Sequence, residues 1–395
     1  MYCTRTGISR MHFVSLIWFA WLAGTVAIYW IVPHTWRDLW LIGISVAFLV
    51  VHAPESALLL MIFTLLTFWL GKKGGRYGGY RIALAAGAIL AVLIYYKVTV
   101  RASPEDLVRE VLIPMGLSYY SFRCFHYLLE RFRGTLPSHT FREFLSYLFF
   151  LPTLVVGPIH RFKPFLDDHH TKQWRSDTLS EGLERMLYGY VKVAVLANFL
   201  FSTQMVRLIG AMNPQATTRI LYLDMIRGAM NLYLQFSGFS DIAIGFALLL
   251  GYRVMENFNN PYGQRNIADF WRSWHMSLTS WCRDYVYLPM IGLTRNPYVA
   301  NITTFLVIGL WHEVSVRFLV WALYHATGVI IWRAFQTLKR HLGVPRLPPG
   351  ILATVAHGAS IVLTFHFVGF GFTIARQPTL AAVFESFRML FLFWW

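Results

Sequence analysis

The sequence predicts an all-α integral membrane protein that crosses the bilayer many times. Of its 395 residues, 56% are hydrophobic and only 14% are charged, whereas soluble domains have about 25% charged residues. The apolar residues also form runs long enough for helices that cross a hydrocarbon core about 30 Å thick. These two observations exclude a soluble globular protein, a disordered chain and a secreted disulfide-bonded scaffold.

The apolar runs predict roughly ten to twelve membrane-embedded helices, some of them short enough to be tilted or interfacial. The sequence shows no repeat of fixed period, which disfavours a transporter built of inverted halves. The candidate segments are residues 12–32, 39–53, 55–71, 82–98, 111–129, 144–159, 186–207, 221–252, 298–312, 316–335, 351–372 and 381–395.

The chain is strongly basic, with a formal net charge of +16. In a protein that crosses a membrane many times, basic loops follow from the positive-inside rule and from contact with anionic lipids. We therefore expect the lipid bilayer as a partner and no nucleic acid. The three cysteines, Cys3, Cys124 and Cys282, have no metal-ligand spacing, so no metal site is expected.

Ionisable and amide side chains gather between residues 221 and 325, inside otherwise apolar segments. A charged side chain at the middle of a bilayer costs about 2.5–3.5 kcal/mol, so such residues face a protein interior or a watery cavity. One helix face carries a polar stripe, which fits either helix packing or substrate contact. Asp241 follows a Ser-Gly-Phe-Ser sequence and is the stronger functional candidate. The stripe consists of Asp224, Arg227, Asn231 and Gln235.

A turn followed by an amphipathic helix is predicted after residue 257. Asn259 and Asn260 precede Pro261, and proline disfavours helix at the residue before it. From residue 267 to 285, tryptophans share one helix face, whereas Arg272 and other charged residues share the opposite face. This pattern predicts a helix at the membrane interface or at the mouth of a cavity. His275, at the border of the two faces, fits either an interfacial hydrogen bond or a functional role.

Two further histidines lie near the end of an apolar run. His312 follows Trp311 and precedes Glu313, whereas His325 lies among small residues that are typical of helix packing. In one continuous helix the two histidines would be about 20 Å apart along the axis and would face different directions. His312 is therefore the stronger functional candidate, and the two are not expected to form a dyad.

The sequence lacks a Gly-x-Ser-x-Gly elbow, a Walker A motif and a zinc-binding pattern. A histidine in a buried polar pocket remains as the reactive group. A neutral imidazole can remove the proton of a hydroxyl group as that hydroxyl attacks an acyl thioester. The resulting oxyanion needs hydrogen-bond donors, for which a tryptophan indole, Asn259, Asn260 or an arginine is available.

Three segments of the chain contain distinctive motifs: residues 237–262, residues 269–289 and residues 309–328, the last with the Gly-Leu-Trp-His motif. In this order they resemble the membrane-bound O-acyltransferase family, and specifically its bacterial branch that modifies exported polymers such as alginate and teichoic acid. The resemblance extends over about residues 110–376. It implies that His312 of the Gly-Leu-Trp-His motif is catalytic and that His275 is the second recurrent histidine. Glu313 stands where the family generally has glycine.

The apolar runs and the resemblance together predict N-terminal transmembrane helices over residues 1–110, a catalytic core over 111–376 and a C-terminal hydrophobic helix over 377–395. We expect a multi-pass O-acyltransferase of the bacterial inner membrane that moves an acyl group, most simply acetyl rather than aminoacyl, onto a hydroxyl of an exported polysaccharide or cell-envelope glycan. No bound cofactor is expected.

The expected acyl donor is acetyl-CoA or an acylated carrier protein, and a periplasmic acyltransferase is a candidate partner. In this prediction His312 is the general base and His275 assists it. The substrate-binding candidates are Asp241, Asn259, Asn260, Arg272 and Trp311. The alternatives are a transporter or flippase, and a scaffold without catalytic activity that recruits another enzyme.

Overall fold

The structure, a computed structural model, describes residues 16–71, 78–102, 116–345 and 348–392. Parts of the predicted segments 12–32, 111–129 and 381–395 lie outside the described residues. The described chain forms two compact units. The first contains the described residues up to Tyr190 together with Gly238–Met255, and the second contains Val191–Ser237 and the described residues from Glu256 onward.

Helices dominate both units, as the sequence predicts. The described residues of the first unit form α1 (Leu16–Ile31), α2 (Arg37–His52), α3 (Pro54–Leu70), α4 (Gly78–Ala102), α5 (Leu117–Arg133), α6 (Phe141–Leu148), α7 (Phe162–Thr171) and α8 (Ser176–Tyr190). After Tyr190 the chain forms a π-helix (Val191–Gln204), α9 (Met205–Gly210), α10 (Thr217–Leu249), α11 (Ile267–Ser273), α12 (Met276–Cys282), a short π-helix (Arg283–Tyr287), α13 (Leu288–Thr294), α14 (Pro297–His312), α15 (Val316–His341), α16 (Ile351–Arg376) and α17 (Leu380–Leu392).

The helices agree with a membrane-spanning chain in length and composition. Among the described residues, six helical segments are long and apolar enough to cross a membrane, and α3 and part of α1 are shorter apolar helices. The protein is therefore a multi-pass membrane protein. The six segments are His34–His52, Gly78–Thr99, Ser176–Gly210, Thr217–Leu249, Val316–His341 and Ile351–Arg376.

Two pairs of glycines let α8 approach α10 closely within the first unit. A Cβ atom on Gly189 would lie 2.6 Å from the main-chain oxygen of Gly238, and a Cβ on Gly245 would lie 2.6 Å from that of Gly182. Small residues at such a crossing allow backbone contact between membrane helices. In each helix the two glycines are seven residues apart, so they share one face.

The predicted membrane helix over residues 144–159 is wrong for most of its length. Helix α6 ends at Leu148, and a 3-10 turn at Leu151–Thr153 follows. Pro152 and Pro158 remove backbone N–H groups, and Gly157 has φ +123°, so this segment does not continue a helix. Its apolar composition instead reflects burial inside the protein.

The buried Arg123 of α5 compensates for the lost helical hydrogen bonds of this segment. Its side chain is 1% exposed. It donates to the main-chain oxygens of Tyr147, at 3.1 Å, and Leu148, at 3.4 Å, and to the main-chain and side-chain oxygens of Thr153. Irregular backbone is tolerated in a membrane protein where protein groups satisfy its polar atoms. Arg123 therefore stabilises the segment from within.

Candidate active site

His312 lies at the end of α14, in the second unit. The helix ends there because Glu313 adopts an extended conformation with φ −157°, and Ser315 then caps α15 by accepting a hydrogen bond from the Phe318 N–H. The side chain of His312 is exposed at the surface of the unit. The structure thus presents an accessible imidazole at a helix boundary.

The α14–α15 hairpin is closely packed beside this histidine. A Cβ on Gly309 would lie 2.6 Å from the main-chain oxygen of Phe318 and 2.9 Å from the Ala322 side chain. The close approach brings the Trp321 ring within 5.5 Å of the His312 ring. The fixed indole therefore limits the positions that the His312 ring adopts.

His325 belongs to the same aromatic cluster, although it does not contact the exterior. Its side chain is 0% exposed, and its ring lies 4.7 Å from that of Trp321 and 5.1 Å from that of Trp271. Neither ring nitrogen has a hydrogen-bond partner among the described residues. Trp321 thus separates an accessible histidine from a buried one, and the two do not form a dyad, as the sequence predicts.

His275 occupies a break in the predicted amphipathic helix. Where the periodicity predicts one helix over 267–285, the chain forms α11 and then α12, because His275 takes a left-handed conformation with φ 44°. The two faces survive the break, since Trp271, Trp274 and Trp281 are buried and Arg272 is exposed. The predicted division into an apolar and a charged face is confirmed, and the prediction of one continuous helix is wrong.

Asn257 holds this break in place. Its main-chain oxygen accepts a hydrogen bond of 2.9 Å from the Met276 N–H, and its side-chain oxygen accepts 2.6 Å and 3.3 Å bonds from the hydroxyl and N–H of Ser277. The next residue, Phe258, forms an antiparallel bridge with Trp274. Asn257 therefore fixes the first turn of α12 directly after His275.

The environment of His275 favours its neutral form. The side chain is 3% exposed, with the Phe236 ring 4.6 Å away and the Trp311 ring 6.3 Å away. This residue lies outside the candidate membrane spans. Burial, together with a smaller contribution from the positive charge of a protonated His312, lowers the pKa of His275 to about 3. At neutral pH its imidazole is uncharged.

Glu313, directly after His312, forms an ion pair with an arginine. Its carboxylate lies 2.6 Å from the guanidinium of Arg317, one helical turn further on. Arg317 also donates to the main-chain oxygens of Ala375 and Gln377 at the end of α16. The negative charge next to His312 is therefore paired and held in a fixed direction.

The other predicted site residues occupy different environments. Trp311 lies against His312, with ring centroids 4.5 Å apart. Asn259 and Asn260 are exposed, and Arg272 is exposed and bonded to Asp269 at 2.6 Å.

Asp241 belongs to the first unit, where it is 4% exposed and pairs with Arg185 at 2.7 Å. Since a paired charge is far less costly in a membrane than an isolated one, this contact explains why a carboxylate is tolerated there.

The predicted polar stripe of α10 is held by side chains of the second unit. Asp224 contacts Arg227 at 2.6 Å and Arg376 of α16 at 2.9 Å. Asn231 accepts a hydrogen bond from Ser202 at 3.3 Å, and Gln235 donates one to Asn198 at 2.6 Å. These contacts agree with the helix-packing interpretation. The stripe residues hold α10 to the π-helix and to α16.

Sequence reasoning missed Asn257. The segment from 257 to 260 contains three asparagines, and the sequence favours Asn259 and Asn260 because they directly precede Pro261 in the predicted turn. Nothing in the sequence of this segment indicates which asparagine is buried. The deciding contact is the pairing with residues 274–277, which is distant in sequence.

Among the described residues, no three His, Cys, Asp or Glu side chains are placed to hold a metal ion.

Comparison with known sequences identifies the family. A sequence model of MBOAT, the membrane-bound O-acyltransferase family, matches residues 133–346. The chain belongs to this family. It is therefore an acyltransferase of the membrane, and the matched region contains both His275 and His312.

Several curated relatives of this membrane-bound O-acyltransferase align with most of the chain. A probable alginate O-acetylase of Pseudomonas aeruginosa is 30% identical over 95% of this chain and 74% of the relative. A teichoic acid D-alanyltransferase of Bacillus subtilis is 27% identical over 84% of this chain and 88% of the relative. A peptidoglycan O-acetyltransferase of Helicobacter pylori is 28% identical over 70% of this chain and 56% of the relative.

Proposed function

We propose that this enzyme transfers an acetyl group from a thioester donor to a hydroxyl group of an exported polysaccharide or cell-envelope glycan. The relatives are named for alginate, teichoic acid and peptidoglycan, which are all cell-surface polymers. The observation that carries the proposal is the accessible imidazole of His312 at a helix end, against the Trp311 ring, whose centroid lies 6.3 Å from that of the buried His275. The family membership supplies the reaction class.

In the proposed mechanism, His312 is the general base. Its neutral imidazole accepts the proton of the acceptor hydroxyl while the hydroxyl oxygen attacks the carbonyl carbon of the thioester. A C–O bond forms, and the carbonyl oxygen carries the negative charge of a tetrahedral intermediate. The C–S bond then breaks, and the leaving thiolate takes the proton from the His312 imidazolium. No covalent acyl-enzyme is needed.

His275 is proposed to assist as a neutral hydrogen-bond donor. A neutral imidazole can stabilise a developing oxyanion without first losing or gaining a proton. The burial that lowers its pKa to about 3 supports this role, as does the Asn257 contact that fixes the adjacent turn. Trp311, which lies against the His312 ring, is proposed to line the same pocket. Asp241, Asn259, Asn260 and Arg272 stay predictions as substrate-binding residues.

We also propose the bacterial inner membrane as the location. The donor would be cytoplasmic acetyl-CoA or an acylated carrier protein, and the acceptor would be an exported glycan. A periplasmic partner acyltransferase would complete the transfer where the polymer is modified outside the membrane. The bacterial relatives that act on exported polymers support this arrangement.

The test is the O-acyl ester content of the host's cell-surface glycans, measured by NMR before and after mild alkali. We compare the wild type, a deletion strain and His312→Ala at equal protein levels. His341→Ala, an exposed histidine at the end of another helix, is the matched control. Loss of one ester signal in the deletion and in His312→Ala, but not in the control, supports the proposal.

Two other outcomes would contradict parts of it. If the deletion loses the ester and His312→Ala retains it, the general-base assignment is wrong and the scaffold alternative gains support. If the deletion strain keeps every ester while the transport of a glycan changes, the transporter alternative is favoured instead.

A further inference from the structure

Two cationic side chains of the first unit, Arg37 and Lys172, are close enough to interact electrostatically. Arg37 begins α2, and Lys172 follows the end of α7. Trp30, in the last turn of α1, contacts the Arg37 guanidinium and, like Lys172, lies beside Gly251. We call Arg37 and Lys172, with Trp30, the basic pair site.

Arg37 stacks on aromatic rings and has no acidic partner in the part of the chain that the structure describes. Its guanidinium carbon lies 4.6 Å from the Trp30 ring centroid and 5.5 Å from that of Tyr29. Its Nε atom is buried without a hydrogen-bond partner among the described residues. The side chain as a whole is half-buried, so its terminal nitrogens remain accessible. Stacking fixes the guanidinium plane and leaves its edge available.

Lys172 is held near the Trp30 ring. Its ammonium lies 5.0 Å from the Tyr252 ring centroid and donates a 2.7 Å hydrogen bond to the main-chain oxygen of His169. Gly251 permits this arrangement, because a Cβ atom there would lie 3.2 Å from the Lys172 Cβ and 3.5 Å from the Trp30 ring. Burial lowers the pKa of Lys172 to about 8, and the charge of Arg37 contributes to the lowering.

The nearest carboxylates are engaged elsewhere. Asp38 contacts Arg142 at 3.2 Å and His169 at 3.4 Å. Asp168 accepts a 2.8 Å hydrogen bond from the Arg253 N–H. Both carboxylates reduce the positive potential at Lys172, but neither forms an ion pair with Lys172 or Arg37 among the described residues. The basic pair site therefore keeps an excess of positive charge.

The position of this site matches the surface of a membrane. It lies where α1 ends and α2 begins, and the exposed rings of Trp36 and Trp174 flank it. Tryptophan is enriched at membrane interfaces, where lipid phosphates also lie. An arginine fork beside a lysine suits the oxygens of a phosphate group.

We propose that Arg37 and Lys172 bind a phosphate group, supplied by the headgroup of an anionic phospholipid. This site belongs to the first unit and is independent of the catalytic assignment of His312. The bound headgroup would join the ends of α1, α2 and α7, so its binding stabilises the folded protein.

The test measures thermal unfolding of the full-length protein in nanodiscs. We compare discs of phosphatidylcholine alone with discs that also contain phosphatidylglycerol. We expect the wild type to melt a few degrees higher with phosphatidylglycerol, and Arg37→Gln and Lys172→Gln each to lose most of that difference. Lys163→Gln, which removes an exposed charge paired with Asp167 at 2.9 Å, should keep it.

A second arm adds inorganic phosphate to the phosphatidylcholine discs. If inorganic phosphate stabilises the wild type but neither Gln variant, the two residues do bind phosphate. The ligand is then a soluble phosphate compound, and the assignment to a lipid headgroup is wrong. Equal stabilisation of the wild type, the two Gln variants and the control would overturn the site, because it would reflect net charge alone. An absence of any stabilisation in the wild type would overturn it as well.

Charge-preserving variants cover the case in which the Gln variants do not fold. Arg37→Lys and Lys172→Arg keep the charge but change the geometry, and native mass spectrometry then counts retained phosphatidylglycerol. Less retained lipid in Arg37→Lys than in the wild type, with Lys163→Arg unchanged, supports the site. Equal retention in all four proteins would contradict it.

Discussion

Two irregular segments, one in each unit, use polar side chains in different ways. In the first unit, the segment after α6 is closed around Arg123, which is 1% exposed and donates to main-chain oxygens. In the second unit, Asn257 likewise fixes a break, at His275, but an accessible histidine, His312, lies nearby. A buried polar residue that only hydrogen-bonds the backbone therefore has a structural role. A catalytic role is indicated where such a residue supports a segment beside an accessible reactive side chain.

The largest expected effect is on stability, at Arg123. Arg123→Met removes the donor for three main-chain oxygens in a segment that has few helical hydrogen bonds. We expect the free energy of unfolding to fall by about 3–5 kcal/mol. Denaturation in detergent micelles measures it, and Arg133→Met, whose side chain is 40% exposed, is the control. Unchanged stability of Arg123→Met would refute the structural role.

Asn257→Ala should affect both stability and activity. The variant loses two side-chain hydrogen bonds and frees the turn after His275, so we expect a loss of about 1–3 kcal/mol. A misplaced assisting group lowers the rate of acyl transfer by about 10²-fold. Gln215→Ala, at an exposed residue of the same unit, is the control. Equal rates for the two variants, measured per folded protein, would show that the break does not position His275.

Two histidines of the second unit should respond to phenylalanine in opposite directions. His366 uses both ring nitrogens, which contact the Tyr222 hydroxyl and the Val362 main-chain oxygen, each at 2.7 Å. His366→Phe should therefore destabilise the protein by about 1–3 kcal/mol. His325→Phe removes two nitrogens that have no partner among the described residues. We expect unchanged or higher stability, and comparable losses in both variants would contradict this distinction.

The last prediction concerns acid stability. Because the pKa of His275 is lowered to about 3 on folding, the unfolded chain binds a proton at higher pH than the folded chain does. The free energy of unfolding therefore has its full value above the ordinary histidine pKa near 6.5. It decreases as the pH falls towards 3, by about 1.4 kcal/mol per pH unit. Unfolding of the wild type and His275→Gln between pH 7 and 4 measures it. Identical slopes would show that His275 does not carry the effect.

The sequence predicted the fold class and the position of His312 because both depend on local features. Apolar runs follow directly from the bilayer thickness, and an ionisable residue at the end of such a run is conspicuous. The burial of Asn257 and the pairing of Glu313 with Arg317 were not predicted. The first depends on pairing between segments distant in the chain, and the second on where α15 begins.

The failed helix over residues 144–159 has the same origin. A run of apolar residues has one composition whether it faces lipid or the inside of the protein. Only the contact with Arg123, which belongs to another helix, distinguishes the two. The break at His275 was also hidden, because the amphipathic pattern continues across it.

The central claim is that His312 removes the proton of the acceptor hydroxyl. The most direct measurement is the rate of acetyl transfer by purified His312→Gln and wild-type enzyme, at equal amounts of folded protein and over a range of pH. Our account predicts a rate about 10²–10⁴-fold lower in the variant, with unfolding unchanged because His312 is exposed. A rate close to that of the wild type, in a variant with normal unfolding, would contradict it.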